Sequence, residues 1–337
     1  MSLWCCGQSE ETRRRLSRAE RARLKTEDSL ALKIAVLPTI DALPLFVAKE
    51  RRLFDTLHVD VRLKAWKAQM DVDTALVGGS VEGGVTDLVR VERMQRRGTM
   101  FRCWTTPLHW QLVTNRLARL KDVSQLGDKM VAMTRFSATD LLTDHVLNGV
   151  KTKAMVYRVQ INDVPLRLQM LMNNEMDALW LPEPQATVAR EDHHPVLFDT
   201  SKKDICLGAL AFREKCFGDA RIKQQIETFT KAYNMACDSL NTNGLQHYAE
   251  VIQKYCGVEE DVVKKHQKYI SPMPRNRAKK TWIWLVSSKS THRHGTNQAI
   301  HHRAKGRCRS TCHVPQVCQR TPPGHYWRLA STAGRGG

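Results

Sequence analysis

Four short polar stretches of this sequence stand where an apolar run gives way to a helix-like pattern, and each has residues that could hold a small molecule. The first is LPTIDALPLF, residues 37–46. Thr39 and Asp41 would lie at the carboxyl end of a strand, with a helix beginning just beyond. A helix N-terminus presents free N–H groups and the positive end of its dipole, which suit an anion or a polar head. Asp41 reads either as the N-cap of that helix or as the partner of a cationic group on a ligand. The second stretch, EGGVTDLV, places Thr86 and Asp87 at another strand end. The third, TRFSATD, residues 134–140, is the strongest. Ser137, Ala138 and Thr139 would open a helix, so hydroxyls and backbone N–H groups converge there. Thr134 and Arg135 end the preceding strand, and Arg135 is placed to clamp a carboxylate, sulfonate or phosphate. A capped helix start beside a surface arginine is the other reading. The fourth, ALWLPEPQAT, offers Trp180 for stacking on a ring or for core packing. It also holds Glu183 between two prolines, with Gln185 just after. Asp41, Asp87 and Glu183 together favour a ligand with amine or pyrimidine character over a purely anionic one.

Nothing in the sequence points to covalent chemistry. There is no GxSxG, HExxH, P-loop or GxGxxG pattern. His58, His109, His145, His193, His194, His247 and His266 show no partner spacing with Cys, Asp or Glu. The ten cysteines are scattered without a CxxC, and those between 206 and 256 read as buried thiols. Cys308, Cys312, His313 and Cys318 lack a standard zinc spacing. We therefore expect no catalytic residue, no metal and no cofactor.

The elements that must position these stretches alternate. LKIAVLP and HVDVRLKAW read as strands, DALPLFVAKERRLF and MDVDTALVGGSV as helices. EGGVTDLVRVERMQRRG gives a strand and a helix, and FRCWTTPLHWQLVTN is strand-rich. The pattern restarts at MVAMTRFSATDLLTDHVLNGV with a strand, a tight turn and a helix. A further strand, AMVYRVQIND, leads to the helix VPLRLQMLMNNEM, and DALWLPEPQATVARE reads as strand and turn. HPVLFDT and LGALAFREKCF are strands, and residues 219–256 are helical. Such alternation predicts parallel sheets with ligands at the carboxyl ends of the strands. Two such series predict two similar lobes; one large α/β domain is the other reading.

The net charge of +19 on 337 residues is unevenly spread. Residues 275–337 hold 13 Lys or Arg and no acid, and residues 1–28 carry +2, leaving +4 for residues 29–274. A nearly balanced body with a basic tail is not a nucleic-acid-binding domain. The tail has no sustained period and reads as a disordered extension or out-of-frame translation.

The order and spacing of these stretches resemble a known family. IAVLPTIDALPLFVAKERRLFD is similar to the first strand and helix of the periplasmic solute-binding proteins of the sulfonate, taurine and thiamine-precursor group. EGGVTDLV, MVAMTRFSATDLLTDHVL and EMDALWLPEPQAT resemble that group's later strand ends and the opening of its second lobe. The resemblance spans roughly residues 32–270. It implies a two-lobed α/β type II periplasmic-binding-protein fold with the ligand cleft between lobes. Lobe I would comprise residues 31–115 and 200–274, and lobe II residues 116–199. It implies a monomer that carries a small polar solute to an ABC permease by lobe closure, without catalysis. An enzyme on the same fold, of a pyrimidine-synthase or menaquinone-pathway kind, is the alternative. Leu3-Trp4-Cys5-Cys6-Gly7-Gln8 is similar to the end of a bacterial lipobox. Cys6 would be the acylated residue, residues 1–30 a polar tether, and the protein lipid-anchored at the periplasmic face of the envelope. Cys5 replaces the usual small residue, and no charged and apolar region stands upstream.

Overall fold

The computed structural model describes residues 18–203 and 205–266. The lipidation expected at Cys6 and the tail expected from residue 275 lie outside the described residues.

Helix α1 (Arg18–Leu30) precedes strand β1 (Leu32–Val36), and α2 (Leu43–Glu50) and the short α3 (Leu53–Thr56) lead to β2 (Val61–Ala65). Next come α4 (Gln69–Gly78), β3 (Gly83–Asp87), α5 (Leu88–Arg96) and β4 (Phe101–Thr106). The chain then crosses to a second set: β5 (Trp110–Thr114), β6 (Met130–Met133), α6 (Ala138–Leu147), β7 (Tyr157–Gln160), α7 (Val164–Met172), β8 (Ala178–Pro182), α8 (Gln185–Glu191) and β9 (Val196–Asp199). It returns as β10 (Gly208–Arg213) and ends in α9 (Ala220–Asn243), α10 (Ala249–Cys256) and α11 (Glu260–His266). None of the described helices is long and apolar enough to cross a membrane.

The two sets form two five-stranded sheets, ordered β2-β1-β3-β10-β4 and β7-β6-β8-β5-β9. In each, one strand runs antiparallel to its neighbours: β10 against β3 and β4, and β5 against β8 and β9. The first sheet has a core on each face because its strands alternate. Leu210 and Phe212 of β10 enter one core, with Ile34, Val85 and Phe229. Ala209 and Ala211 enter the other, with Ala35, Val72 and Phe101. The second lobe has its own core around Trp110, Val131, Leu179 and Trp180. Strands β1 and β3 approach closely through Gly84, where a Cβ would stand 2.8 Å from the Cβ of Ala35.

Three expectations need correction. Residues 40–42 form a 3₁₀ turn and the α-helix begins at Leu43, so its N-cap is Ala42, not Asp41. Pro44 fits the first turn, where its missing N–H costs nothing. Gln185–Glu191 is a helix where the sequence reads as a turn; seven residues after a proline are too few to show a period. Strand β5 pairs within the second sheet although it lies before residue 115.

Two crossings join the lobes, one through residues 107–109 and one whose described residues are 200–203 and 205–207. They are tied together where they pass. Trp110 N donates to Thr200 Oγ1 at 2.8 Å, and Thr200 N donates back to Trp110 O at 3.0 Å. Cys206 Sγ donates to Thr106 O at 2.8 Å.

Candidate functional site

The turn after β1 places Asp41 in the interior, with no exposed surface. Thr39 Oγ1 donates to its Oδ1 at 2.6 Å, and Thr106 Oγ1, at the end of β4, donates to its Oδ2 at 3.0 Å. Burial pushes the carboxyl up to about 6, against the pull of these two hydroxyls and of the N–H groups of Asp41 and Ala42. Asp41 thus links the opening turn to the first crossing.

At the end of β3, Thr86 and Asp87 are both buried. Asp87 caps α5, its Oδ1 accepting from Arg90 N at 2.9 Å. Its Oδ2 makes no hydrogen bond. Burial pushes this carboxyl up to about 6, opposed chiefly by the Arg90 guanidinium and then by the backbone N–H groups of Arg90 and of Ala138 in the second lobe. The Ala138 N–H at the start of α6 thus reaches the Asp87 carboxyl from the other lobe. Arg90 is itself buried and grips Asp73 of α4 with two nitrogens, Nε to Oδ1 at 2.9 Å and Nη2 to Oδ2. Its third nitrogen, Nη1, has no partner.

In the second lobe, Thr134, Ser137, Ala138 and Thr139 are all fully buried. Ser137 is the N-cap of α6, accepting from Thr139 N at 3.1 Å and donating to Thr134 O at 2.7 Å. Thr139 Oγ1 accepts from Thr134 N at 2.9 Å. The hydroxyls thus serve the turn's own backbone and leave the Ala138 N–H at the helix end. Arg135 is exposed. The buried cation of this lobe is Arg167 of α7, which sequence reasoning missed. It donates to Ile161 O at 2.8 Å, to Trp180 O at 2.9 Å and to Thr134 Oγ1, tying together the carboxyl ends of β6, β7 and β8. Burial pushes it down to about 9. Its one signal in the sequence is a lone charge within the apolar helix VPLRLQMLM.

Trp180 packs in the core, its Nε1 donating to Thr143 Oγ1 at 2.8 Å and its ring edge-on to Phe198 at 6.1 Å. Glu183 is buried and fully partnered inside its own lobe. Gln111 Nε2 donates to it at 2.7 Å, Thr187 Oγ1 at 2.7 Å, and Arg190 Nη2 at 2.7 Å. What reaches the first lobe is its backbone: Ile40 N donates to Glu183 O at 3.0 Å, and Gln185 Nε2 to Pro38 O at 2.9 Å.

The structure therefore brings the opening turn against the 183–185 turn, and Asp87 against Ala138. Arg135 and the Trp180 ring stand apart from both. The lobes also meet along the rim. Ala68 and Asp163 form an antiparallel bridge, and Asn162 Nδ2 lies 3.1 Å from Met70 Sδ. The Arg93 guanidinium stands 4.0 Å above the ring of Phe136, whose φ is +58°. Among the described residues no group of His, Cys, Asp and Glu could hold a metal ion.

No protein-family model matches the chain, and no curated protein sequence matches it. Solved structures do resemble it. The alkanesulfonate-binding protein SsuA from Xanthomonas axonopodis pv. citri, bound to MOPS, is 17% identical with a TM-score of 0.59, over 72% of this chain and 85% of that one. The periplasmic nitrate-binding protein NrtA from Synechocystis PCC 6803 is 15% identical with a TM-score of 0.61, over 71% and 70%. A conserved Candida albicans protein, described as having the generic periplasmic binding protein fold, is 13% identical with a TM-score of 0.57, over 73% and 82%. Two five-stranded sheets, one antiparallel strand in each, and structural neighbours as distant as these agree on one conclusion: this chain has the two-lobed periplasmic-binding-protein fold.

Proposed function

We propose that this chain is the solute-binding component of an ABC-type import system. It would hold a small polar organic molecule between its lobes and release it unchanged to a permease. The observation that carries the reading is Asp87, a fully buried carboxyl with one unpartnered oxygen, set opposite the α6 N-terminus of the other lobe. Buried polar atoms are costly to leave unanswered, and a ligand entering between the lobes would answer this one. Paired crossings supply the hinge for closure. The resemblance of residues 32–270 to solute-binding proteins, and the binding proteins among its structural neighbours, support the same reading. With it come a monomer, a periplasmic location and a lipid anchor at Cys6.

A thermal-shift screen of taurine, alkylsulfonates, aminopyrimidines, polyamines and dicarboxylates tests the proposal. A bound solute stabilises by RT ln(1 + [L]/Kd), about 2.7 kcal/mol at a hundred times Kd. Mass spectrometry should recover the hit unchanged after long incubation. Conversion at more than one turnover per protein would replace the carrier by an enzyme. For the anchor, Cys6→Ser in a chain with its full upstream region should release the protein from membranes.

A further inference from the structure

Met70 stands on the rim of the cleft as the second residue of α4 and is 45% exposed. Asn162 Nδ2 donates to its sulfur at 3.1 Å and Gln160 Nε2 at 3.3 Å. Both donors belong to the second lobe, Gln160 ending β7 and Asn162 standing two residues beyond. The two amides also hold each other, Gln160 Nε2 lying 3.3 Å from Asn162 Oδ1. Each side of this contact is fixed to a rigid element. Ala68, two residues before Met70, forms the antiparallel bridge to Asp163. Asp163 in turn caps α7, its Oδ1 accepting from Leu166 N at 3.0 Å. A thioether is a weak acceptor. Two amides of one lobe therefore converge on a poor partner of the other, at a place that solvent reaches. Met155, 69% exposed, lies beyond the opposite end of β7 and provides a comparison.

We propose that Met70 is an oxidation site, and that a peroxide converting its thioether to the sulfoxide turns this rim contact into a clasp between the lobes. The reaction transfers one oxygen. A sulfur lone pair attacks one oxygen of hydrogen peroxide and the O–O bond breaks. The proton on the transferred oxygen passes to the departing one, which leaves as water. Sulfur is oxidised by two electrons and the peroxide reduced by two. The product carries a polar oxygen where two N–H donors already converge. With those nitrogens 3.1 and 3.3 Å from the sulfur, the oxygen cannot enter between them unless the sulfur retreats. Methionine has three rotatable bonds, and this one is half-exposed, so the sulfur can swing towards solvent while its oxygen takes the amides. Two weak bonds to sulfur thereby become two ordinary bonds to oxygen across the rim. Closure is favoured, and a molecule held between the lobes leaves more slowly. The sulfoxide is reducible, so the effect is reversible. The proposal concerns the lobes' own contact and does not depend on which solute the cleft holds.

Hydrogen exchange read by mass spectrometry on the full chain, with no solute added, tests this. After mild hydrogen peroxide treatment the peptide bearing Met70 should gain one oxygen, as should the peptide bearing Met155. Peptides spanning Ala68 and Asp163 should then exchange about two- to tenfold more slowly, the range that one stronger hydrogen bond supports. Met70→Leu keeps the bulk without the sulfur, and peroxide should leave its exchange unaltered there. Gln160→Ala with Asn162→Ala leaves Met70 oxidisable and should also abolish the slowing. Methionine sulfoxide reductase should restore the original rate. Unaltered exchange after oxidation of Met70 overturns the proposal, and so does faster exchange, which would make the oxygen a wedge. Slowing that survives in Met70→Leu or without the two amides overturns it as well, as does a Met70 that stays reduced while Met155 is oxidised. None of these outcomes touches the solute screen, which decides the carrier reading separately.

Discussion

Replacing Arg167 with alanine would take a donor from three buried acceptors at once, Ile161 O, Trp180 O and Thr134 Oγ1, and leave only the long 3.5 Å bond from Thr134 Oγ1 to Ile161 O in their place. We expect a loss of about 3 kcal/mol or more in urea unfolding, since each orphaned buried group costs about 1–3 kcal/mol. Arg135→Ala, at an exposed position, should stay within about 0.5 kcal/mol. Two arginines of one lobe are thus separated by burial and not by type. The sequence shows both and draws attention to Arg135, because it adjoins the cap while Arg167 reaches the strand ends only in three dimensions. The acids were easier to read: Asp41 and Asp87 both lie at strand ends, as their positions imply, and both are buried. Each carboxyl rises from 3.8 to about 6 through burial. Between those values the folded chain holds protons that the unfolded chain has released, so stability falls as pH rises from about 4 to about 6 and is level above. Each contributes on the order of 3 kcal/mol to that limb. In the Asp41→Asn, Asp87→Asn double variant, the urea midpoint plotted against pH should flatten there; an unchanged slope would count against the assignment.

Among the elements, the crossings are the least tolerant of added atoms. Gly208 opens β10 where the return crossing ends, and a Cβ there would stand 2.3 Å from Thr106 Oγ1 and 2.5 Å from Leu108 Cβ. Both neighbours are fixed, one by Asp41 and one by the first crossing. Gly208→Ala should therefore cost about 1–3 kcal/mol, as overpacking does, seen as a lower urea midpoint at an unchanged slope. Ser137→Ala should cost about 1 kcal/mol for the lost cap of α6. The strand, turn and helix around Ser137 were legible because cap and apolar spacing agree over a few residues. The pair β4 and β5 was legible as two strands and illegible as to partner. Only three residues separate them, so local pattern reads as a hairpin, yet they belong to different sheets. Membership is decided by β10 for β4 and by β8 for β5, which lie about a hundred and about seventy residues further along the chain respectively.

At the scale of the molecule, the two lobes meet across the cleft through backbone bonds such as Ile40 N to Glu183 O and through rim side chains. At the rim the Arg93 guanidinium stands over the Phe136 ring, and Phe136 holds a left-handed backbone there. Exposed contacts of this kind contribute about 0.5–1 kcal/mol. Phe136→Ala should thus weaken solute binding about two- to fivefold through faster release, and enlarge the ligand-free radius of gyration measured by X-ray scattering. An unaltered release rate would make the contact incidental to closure. The strand order carries a consequence for how the chain is made. Every strand of the second sheet lies between residues 110 and 199, so that sheet is complete as soon as its own stretch has been synthesised. The first sheet has to wait. Until residue 208 emerges, β3 and β4 have no β10 between them, and two strand edges stay unpaired while an entire lobe folds beside them. A chain halted at residue 200 should already resist protease across the second lobe and still be cut throughout the first.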